Sequence, residues 1–376
     1  MSNYFVRLTE AVHSAGLHRP VLVVDQQRLT RNLALIRDGV GDASALRLAD
    51  KSIPVPALLQ QGFDTFGSTR FMSFHLPLTA QVLGAFPKAE ALMGKPMPVA
   101  AAAEFLQTNP HVERVIWLID GAARLAEYRA LAEQTGAPLR IVFEINIGLG
   151  RGGFETPRAL AQCLKDVGPL RICGVMGYEA HIHALPKLLG GGAKAQSRAM
   201  QLLAEFVDNL GPDQHKIINT AGSSTLLGLQ EQGVGNDFTV GSLMVKPSDF
   251  DQPINQGIDP AMFIVTPVLK TVPHQLPGHP RLTRLLHRVG IIRKQISFAY
   301  GGKWMAEPVY PEGLSASPFF APSSNQHGLC LPNGRAAPEH LVFRPTQSEA
   351  LLQQFPVIHV YDGKDITDTW TPFDIR

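Results

Sequence analysis

A lysine follows a short apolar run and precedes a proline-rich turn. The segment ALRLADKSIPVPALL predicts a buried strand that ends at Ala49, with Lys51 two residues later and Pro54 close behind it. In a barrel of parallel strands, groups at the carboxyl ends of the strands point into the active site. Desolvation there lowers the pKa of a lysine, so its amine becomes a usable nucleophile towards a carbonyl carbon. Lys51 is therefore a candidate for Schiff-base chemistry.

Three further segments combine glycine with cationic or hydroxyl side chains. EINIGLGRGGF places Arg151 in a glycine-rich loop after another strand-like run, where it could meet a phenolate or a carboxylate. INTAGSST and VGSLMVKP follow later strand-like runs, and small residues with free backbone N–H groups form phosphate cradles at such places in many barrels. The cradle candidates are Gly222, Ser223, Ser224, Thr225, Gly241 and Ser242.

Taken singly, each of these features has an ordinary structural explanation. A lysine in a loop is usually solvated, a glycine-rich segment is often a flexible turn, and a Ser/Thr-rich segment often caps a helix. Their order along one chain is more specific than any one of them. To act together they need a scaffold that brings several strand ends to one side.

Short apolar runs alternate with helical patterns between residues 20 and 265, as parallel strands covered on both faces do. Eight strand–helix units over about 250 residues match a (β/α)8 TIM-type barrel, which we predict. A doubly wound open sheet is the alternative, and the lack of GxGxxG after the first run weakens it. The expected strands are 21–24, 45–49, 64–68, 97–102, 114–119, 140–147, 171–177 and 216–221.

The sequence changes character after about residue 265. Proline and glycine become frequent, helical periodicity fades, and short β-like runs such as RVGIIRK, ISFAY and VIHVYDG appear. These patterns predict a mostly β C-terminal domain. We expect the barrel over residues 20–265 and the β domain over residues 1–19 plus 266–376.

Composition argues against several classes of protein. The 376 residues are 45% hydrophobic and 18% charged, as in a globular protein with a large core. A net charge of +2 gives no field that would attract nucleic acid or an anionic membrane. No apolar run reaches the ~18 residues of a membrane span, and the N-terminus lacks the apolar core of a signal peptide. Three dispersed cysteines fit a reducing compartment, so we expect a cytoplasmic protein.

In their order along the chain, these segments resemble the fold-type III pyridoxal phosphate enzymes, which are alanine racemase-like barrels. Within that family the chain is more similar to the branch of D-threonine aldolase and D-serine dehydratase. The resemblance runs from Asp25 to the TDTW near the C-terminus. The matching stretches are VLVVDQQRLTRNL, RLADKS, EINIGLGRGGF, GVMGYEAHI, AGSST, GSLMV, SNQHG and VYDGKDITDTW.

The resemblance implies a role for each matching residue. Lys51 would hold pyridoxal 5′-phosphate as a Schiff base, and Arg151 would approach the phenolic oxygen of the cofactor. Tyr178, in GYEAHI, would line the pocket. His181 and His183, which follow it, are interpreted as loop or packing histidines. The phosphate would be bound by Gly222, Ser223, Ser224, Gly241 and Ser242.

One departure from the family concerns the partner of the pyridine nitrogen. Alanine racemases place an arginine just ahead of the glycine of the GSLMV-like segment, whereas this chain has DFTVGS, with Thr239 two residues before Gly241. A neutral partner leaves the pyridine nitrogen unprotonated more of the time, and such neighbours set the electronics of the ring. Thr239 therefore joins the expected cofactor-binding residues.

A second departure concerns the branch's metal motif, in which His-x-Cys or His-x-Asp precedes Pro-Thr. Here Val342 and Arg344 occupy the two ligand positions, and His340 lies two residues too early. Valine has no donor atom and arginine stays protonated, so neither binds a divalent cation. The companion motif reads QHG, so His327 has lost its acidic neighbour. We expect no catalytic metal, and expect Arg344 to offer a positive charge to a second acidic group of the substrate.

The resemblance favours a pyridoxal phosphate-dependent lyase, an aldolase or a dehydratase, that acts on a small D- or β-hydroxy amino acid. Lys51 is the candidate base on one face of the cofactor, and His327 and Arg344 would stand on the opposite face. Because the second domain in this family often closes the pocket of a neighbouring subunit, we expect a homodimer. The alternatives are an amino-acid racemase, which needs acid/base groups on both faces, and a non-catalytic pyridoxal phosphate carrier, usually a single barrel.

Overall fold

The computed structural model describes residues 2–184, 192–220, 222–228 and 234–374. The chain forms two compact units. The sheet unit is drawn from Met1–Asn32, Val245–Asp251 and Asp259–Pro372, and the barrel unit from Leu33–Met244, Gln252–Ile258 and Phe373–Arg376. Among the helices in the described ranges, none combines the length and the apolar composition that a membrane-spanning segment needs.

The chain begins with a helix and a strand of the sheet unit. These are α1 (Ser2–Ser14) and β1 (Val21–Asp25), followed by α2 (Gln26–Val40). Phe5, Leu8 and Val12 recur at helical spacing along α1 and form one buried cluster with alternate residues of β1. The amphipathic N-terminal helix is therefore part of the core of this unit.

Eight parallel strands close a barrel in the other unit, and the last strand pairs with the first. The strands are β2 (Leu46–Ala49), β3 (Arg70–Ser73), β4 (Glu90–Met93), β5 (Val115–Ile119), β6 (Arg140–Glu144), β7 (Arg171–Met176), β8 (Ile217–Thr220) and β9 (Asp237–Val240). The helices that follow are α3 (Pro56–Phe66), α4 (Leu76–Ala85), α5 (Val99–Thr108), α6 (Ala122–Thr135), α7 (Pro157–Cys163), α8 (His181–Ala184) and α9 (Ala193–Val207).

Charged side chains fill part of the barrel interior. Arg47, on β2, is fully buried and donates to Asp237 on β9 and to Glu90 on β4. Because β3 separates β2 from β4, the second contact crosses the inside of the barrel. Burial raises the pKa of Glu90, but the guanidinium groups of Arg47 and Arg140 more than offset this and lower it overall. The barrel thus has an ionic layer as well as an apolar one.

The sheet unit is completed by the C-terminal part of the chain. Its elements are β10 (Met262–Pro273), α10 (Pro280–Arg288), β11 (Gln295–Tyr300), β12 (Ala306–Tyr310), β13 (Ser315–Ala316), β14 (Gln326–Cys330), β15 (His340–Pro345), α11 (Ser348–Gln354), β16 (Ile358–Tyr361) and β17 (Ile366–Trp370). The strand order is β13-β14-β11-β10-β1-β16-β17, and β15 pairs with both β10 and β12. The long β10 pairs with three strands, which are β1, β11 and β15.

The predicted fold class is confirmed, since the parallel strands close into a barrel and a mostly β unit follows. The open-sheet alternative is wrong. The run at 21–24 is a strand, but it pairs with β10 and β16 rather than within the barrel. The expected boundaries at 20 and 265 would therefore assign β1 and the first part of β10 to the wrong unit.

Three predicted barrel strands are wrong, the run at 21–24 and those at 64–68 and 97–102, and β3, β4 and β9 were not among those predicted. Residues 64–68 lie at the end of α3 and in the turn after it, where Gly67 adopts φ 63 and ends the helix. Residues 97–102 run into α5, because a series of alanines favours a helix over a strand. The true strands there, β3 and β4, are four-residue runs that each begin with a charged side chain.

The close pairing of β7 and β8 at Gly174 can be tested by substitution. The φ of Gly174 is +154, and a Cβ at this position would lie 1.7 Å from the carbonyl oxygen of Ile217 on the neighbouring strand. Gly174→Ala should lower the free energy of unfolding by about 3 kcal/mol or more, measured by urea denaturation. The control Gly84→Ala, on α4 with no atom within 4 Å of the new Cβ, should be neutral or slightly stabilising. Equal stability of the two variants would contradict this pairing.

Candidate active site

Lys51 lies in a short 3-10 turn, Asp50–Ser52, directly after β2. Its amine is 4.4 Å from the ring centroid of Phe74, which follows β3. The side chain is exposed, so the expected desolvation of the amine is absent because the turn lies at the open end of the barrel. Within the described ranges the amine has no ion-pair partner. It is therefore available to a ligand.

Asp50, the neighbour of Lys51, is a fully buried carboxyl group. Burial raises its pKa to about 7, while the Ser73 hydroxyl, the backbone N–H of Lys51 and the charge of Lys51 oppose the shift. Asp50 is the first residue of the 3-10 turn that follows β2, a strand whose four residues are all buried. The sequence analysis did not identify this residue.

The loop after β8 is anchored by a buried glutamate. Glu179 has 0% exposure, and its carboxylate accepts hydrogen bonds from the hydroxyl of Thr225 at 2.5 Å and of Thr220 at 2.8 Å. The Thr225 hydroxyl oxygen in turn accepts the backbone N–H of Gly222 at 3.2 Å. Thr225 therefore fixes the loop from within, and the sequence analysis did not foresee the role of Glu179.

Ser223 joins the two segments that the sequence analysis assigned to a phosphate cradle. Its hydroxyl oxygen accepts the backbone N–H groups of Gly241 at 3.2 Å and Leu243 at 3.4 Å. A Cβ at Gly241 would lie 2.8 Å from Cβ of Ser52, so the cradle packs directly against the turn of Lys51. Ser242, the first residue of the following 3-10 turn, is buried beside it. The turn that carries Lys51 and the cradle are thus in direct contact.

Tyr178 and Arg151 form the other wall of this site. A Cβ at Gly222 would lie 2.9 Å from Cε2 of Tyr178, so the ring covers the cradle loop closely. Burial raises the pKa of Tyr178, the charge of Glu179 adds to the shift, and Arg151 and a hydrogen bond with Ser224 oppose it. The guanidinium carbon of Arg151 lies 5.8 Å from the centroid of the Tyr178 ring.

The loop that carries Arg151 is held by hydrogen bonds from its backbone N–H groups to one side chain. The Asn146 side chain accepts the N–H groups of Gly148 and Gly150, both at 3.0 Å. His181 packs against the same loop, since a Cβ at Gly148 would lie 2.9 Å from its Nε2. Its place agrees with the packing role expected for it, whereas the side chain of His183 lies outside the described residues.

Lys95 is a cation of this site that sequence reasoning missed. It directly follows β4 and Gly94, and a Cβ at Gly94 would lie 2.4 Å from the ring of Phe74, the ring that Lys51 approaches. Burial lowers the pKa of Lys95, as do the charges of Arg151 and Lys51, while Glu144 opposes them. Neither lysine nor Arg151 forms an ion pair with any described residue. The sequence predicted no strand at β4, so no signal in the sequence marked Lys95.

Thr239 is buried within the barrel. Its hydroxyl oxygen accepts the side-chain N–H of Asn219 at 3.2 Å, and Asn219 also donates to Asp237 at 2.7 Å. Thr239 is therefore connected to the ionic layer through Asn219. Its role beside a pyridine nitrogen stays a prediction.

His327 and Arg344 belong to the sheet unit. The His327 ring stacks on Phe343 with centroids 5.7 Å apart, and burial lowers its pKa. The Arg344 guanidinium donates to both carboxylate oxygens of Asp251, at 2.6 and 2.8 Å, and to the backbone oxygen of Lys246. The expectation that Arg344 offers a free positive charge is therefore wrong, because Asp251 already neutralises it.

The chain is similar to known proteins in both sequence pattern and fold. The sequence pattern of the family described as "Alanine racemase, N-terminal domain" matches residues 24–248. No curated protein sequence matches the chain. Several solved structures, in contrast, match over nearly its whole length.

Three of these structures represent different activities. D-threonine aldolase from Filomicrobium marinum is 18% identical and covers 94% of this chain and 97% of its own, with a TM-score of 0.73. D-threo-3-hydroxyaspartate dehydratase from Delftia sp. HT23 is 15% identical and covers 95% and 98%, with a TM-score of 0.74. Alanine racemase from Clostridium difficile 630 is 10% identical and covers 93% and 98%, with a TM-score of 0.69. At these identities the likeness is one of fold.

Asp50 makes a pH-dependent contribution to stability that can be measured. Because its pKa in the folded protein is about 7, the native state holds a proton between about pH 4 and 7 that the unfolded state has released. The free energy of unfolding therefore falls as pH rises through this window, by about 2–4 kcal/mol. Asp50→Asn should remove that fall in urea denaturation at several pH values.

Asp213→Asn, at an exposed aspartate, is the control for the Asp50 experiment and should keep the wild-type pH profile. If the profiles of wild type and Asp50→Asn run parallel, the carboxyl group of Asp50 is ionised in the folded protein and the assignment fails.

Proposed function

The chain belongs to the alanine racemase N-terminal domain family and has the fold of the fold-type III pyridoxal phosphate enzymes, and from this we propose that it is a pyridoxal phosphate-dependent lyase. Its substrate would be a small D- or β-hydroxy amino acid. The observation that carries the proposal is the packing of the Gly241 cradle against the turn of Lys51, whose amine has no described ion-pair partner.

The residues of the site fit the cofactor. The backbone N–H groups of Ser223 and Ser224 have no hydrogen-bond partner in the described part of the chain, so they can donate to phosphate oxygens. Side chains at Gly222 and Gly241 would collide with Tyr178 and Ser52, so both positions need glycine for the cradle to pack as it does. Lys51 beside this cradle would hold the aldehyde carbon through its amine.

The other residues have roles that follow from their chemistry. When bound, pyridoxal phosphate supplies an electron sink for a bond broken at Cα of an amino acid. Arg151 would donate to the phenolic oxygen, and Thr239 would be the neutral neighbour of the ring nitrogen. Lys51, once its Nζ is free, would accept or return the proton at the reacting carbon. Tyr178 would limit the access of water on the cradle side.

A lyase is favoured over the two alternatives by specific features. Two of the similar structures are an aldolase and a dehydratase by name. A racemase needs a second acid/base group. Tyr361 of the sheet unit cannot supply it, because it is fully buried and donates its hydroxyl to the Gly363 carbonyl, so a racemase would have to use another tyrosine of this unit, such as the exposed Tyr300. A carrier would need no sheet unit of this size.

The donor set argues for chemistry without the branch's catalytic metal. Val342 is fully buried in the apolar core of the sheet unit, and Arg344 is paired with Asp251. Neither position offers a ligand atom for a divalent cation. The reaction would then rely on the cofactor and on cationic side chains for charge stabilisation.

Lys95 is the residue that we propose for recognition of a second acidic group. Its amine is unpaired among the described residues and shares the Phe74 side of the site with Lys51. Lys51 and Arg151 have expected partners in the cofactor, so Lys95 is the cation left for the substrate. One similar structure is a dehydratase of hydroxyaspartate, a substrate with two carboxylates. Lys95 thus takes over the role that Arg344 was expected to have.

Product analysis tests the proposed reaction class. The purified protein loaded with pyridoxal phosphate should release ammonia or glycine from a panel of D- and β-hydroxy amino acids, and chelation should leave the rate unchanged. Ammonia marks elimination and glycine marks aldol cleavage. Loss of optical rotation without either product would support a racemase instead. Activity that chelation abolishes and Mn²⁺ restores would contradict metal-free chemistry.

Lys95→Gln tests the proposed substrate class. Loss of one charge-assisted hydrogen bond should raise KM for a hydroxyaspartate about 10- to 100-fold, with little change for a neutral β-hydroxy amino acid. Lys88→Gln, at an exposed lysine before β4, is the matched control and should leave both values unchanged. If Lys95→Gln changes KM equally for the acidic and the neutral substrate, Lys95 does not bind the second acidic group.

A further inference from the structure

A cluster of metal-ligating side chains lies in the sheet unit. His13, Glu339 and His340 bring one ligand atom each within 4.8 Å of one another. The rings of His13 and His340 are 5.8 Å apart between centroids and inclined at 83°. The two imidazoles are therefore close neighbours.

His340 has a ring nitrogen without a hydrogen-bond partner among the described residues. Its side chain is 8% exposed, and its buried Nε2 has no hydrogen-bond partner among the described residues. The residue lines a cavity of about 270 Å³ together with His13, Glu339 and Glu10. A buried polar atom without a partner is unfavourable by about 1–3 kcal/mol, which a bound cation would remove.

The scaffold holds both halves of the cluster in place. His13 lies in the last turn of α1, which is fixed by the burial of Leu8 and Val12. His340 is the first residue of β15 and pairs in register with Pro267, while the Glu339 carbonyl accepts the N–H of Val268. The ligands therefore come from two rigid elements that are far apart in sequence. A metal between them would tie α1 to β15.

We propose that His13, Glu339 and His340 form a structural Zn²⁺ site in the sheet unit. Two imidazoles and one carboxylate form a donor set that binds zinc in preference to magnesium or calcium. Zinc–ligand distances are about 2.0–2.2 Å, and the exposed side chains of His13 and Glu339 can rotate to reach them. The fourth position falls to water or to His18, whose ring is 5.8 Å from that of His13.

This site is separate from the metal motif of the aldolase and dehydratase branch, whose positions here are Val342 and Arg344. It does not depend on the proposed function. Metal here would stabilise the N-terminal helix and would not take part in catalysis, so removing it should lower thermal stability and leave the pyridoxal phosphate spectrum unchanged.

The test is a titration of the full-length, cofactor-loaded protein with Zn²⁺ after treatment with a chelator. Calorimetry should give one equivalent of Zn²⁺ with a dissociation constant on the order of micromolar or tighter. Saturating Zn²⁺ should raise the unfolding midpoint by about 3–6 °C. Co²⁺ in place of Zn²⁺ should give the intense visible bands of a four-coordinate ion.

Two variants decide the result. His13→Gln, at an exposed position where folding is not at risk, should weaken Zn²⁺ binding at least about tenfold and abolish the thermal shift. His279→Gln, at an exposed histidine of the same unit, should bind Zn²⁺ as wild type does. Wild-type protein that binds no Zn²⁺, or a His13→Gln variant with unchanged affinity and thermal shift, would overturn the proposal.

Discussion

The buried ion pair between Arg47 and Asp237 joins the two strands that close the barrel. Both side chains have 0% exposure, and Nε of Arg47 lies 2.8 and 2.9 Å from the two carboxylate oxygens. Removing either partner would leave a buried charge uncompensated, which is unfavourable by about 3–5 kcal/mol. The pair therefore favours one register of β2 against β9. That register brings the turn of Lys51 against Gly241.

The closure of the barrel determines the geometry of the site, because the site is formed by the segments that follow the strands. Gly241 donates its N–H to Ser223, so the end of β9 fixes the loop after β8. The same loop is held from the other side by Glu179 through the hydroxyl of Thr225. Small residues form the loop, and polar side chains such as Glu179 and Thr225 fix it through hydrogen bonds. The cradle is thus rigid because the barrel wall is rigid, whereas the cations at its mouth are free to meet a ligand.

The sequence was informative where function depends on local patterns. Lys51, the AGSST loop and Gly241 could be predicted because their order along the chain resembles that of a known family, whereas residue type and position alone left each with an ordinary structural explanation. The pairing of Arg344 with Asp251 spans 93 residues and leaves no local signal, so its neutralisation could not be foreseen. Lys95 has only a glycine before it and no motif around it.

The fold, like the site, was predictable where local sequence patterns determine it. Long apolar strands such as β5 were identified from composition, whereas β3 and β4 are four residues long and could not compete with the alanine-rich start of α5. That β1 lies in the sheet follows from its pairing with β10, about 240 residues later, which no periodicity encodes. Local sequence patterns thus predict the helices and strands, whereas pairing between distant segments determines which sheet each strand joins.

Lys51 is the residue on which the proposed binding of pyridoxal phosphate depends. Reduction of the cofactor-loaded protein with borohydride, followed by proteolysis and mass spectrometry, identifies the lysine that holds the cofactor. We expect one phosphopyridoxyl group per chain, on the peptide that contains Lys51, and none on the Lys51→Ala variant. A label on Lys95 instead, or an equally labelled Lys51→Ala variant, would contradict it.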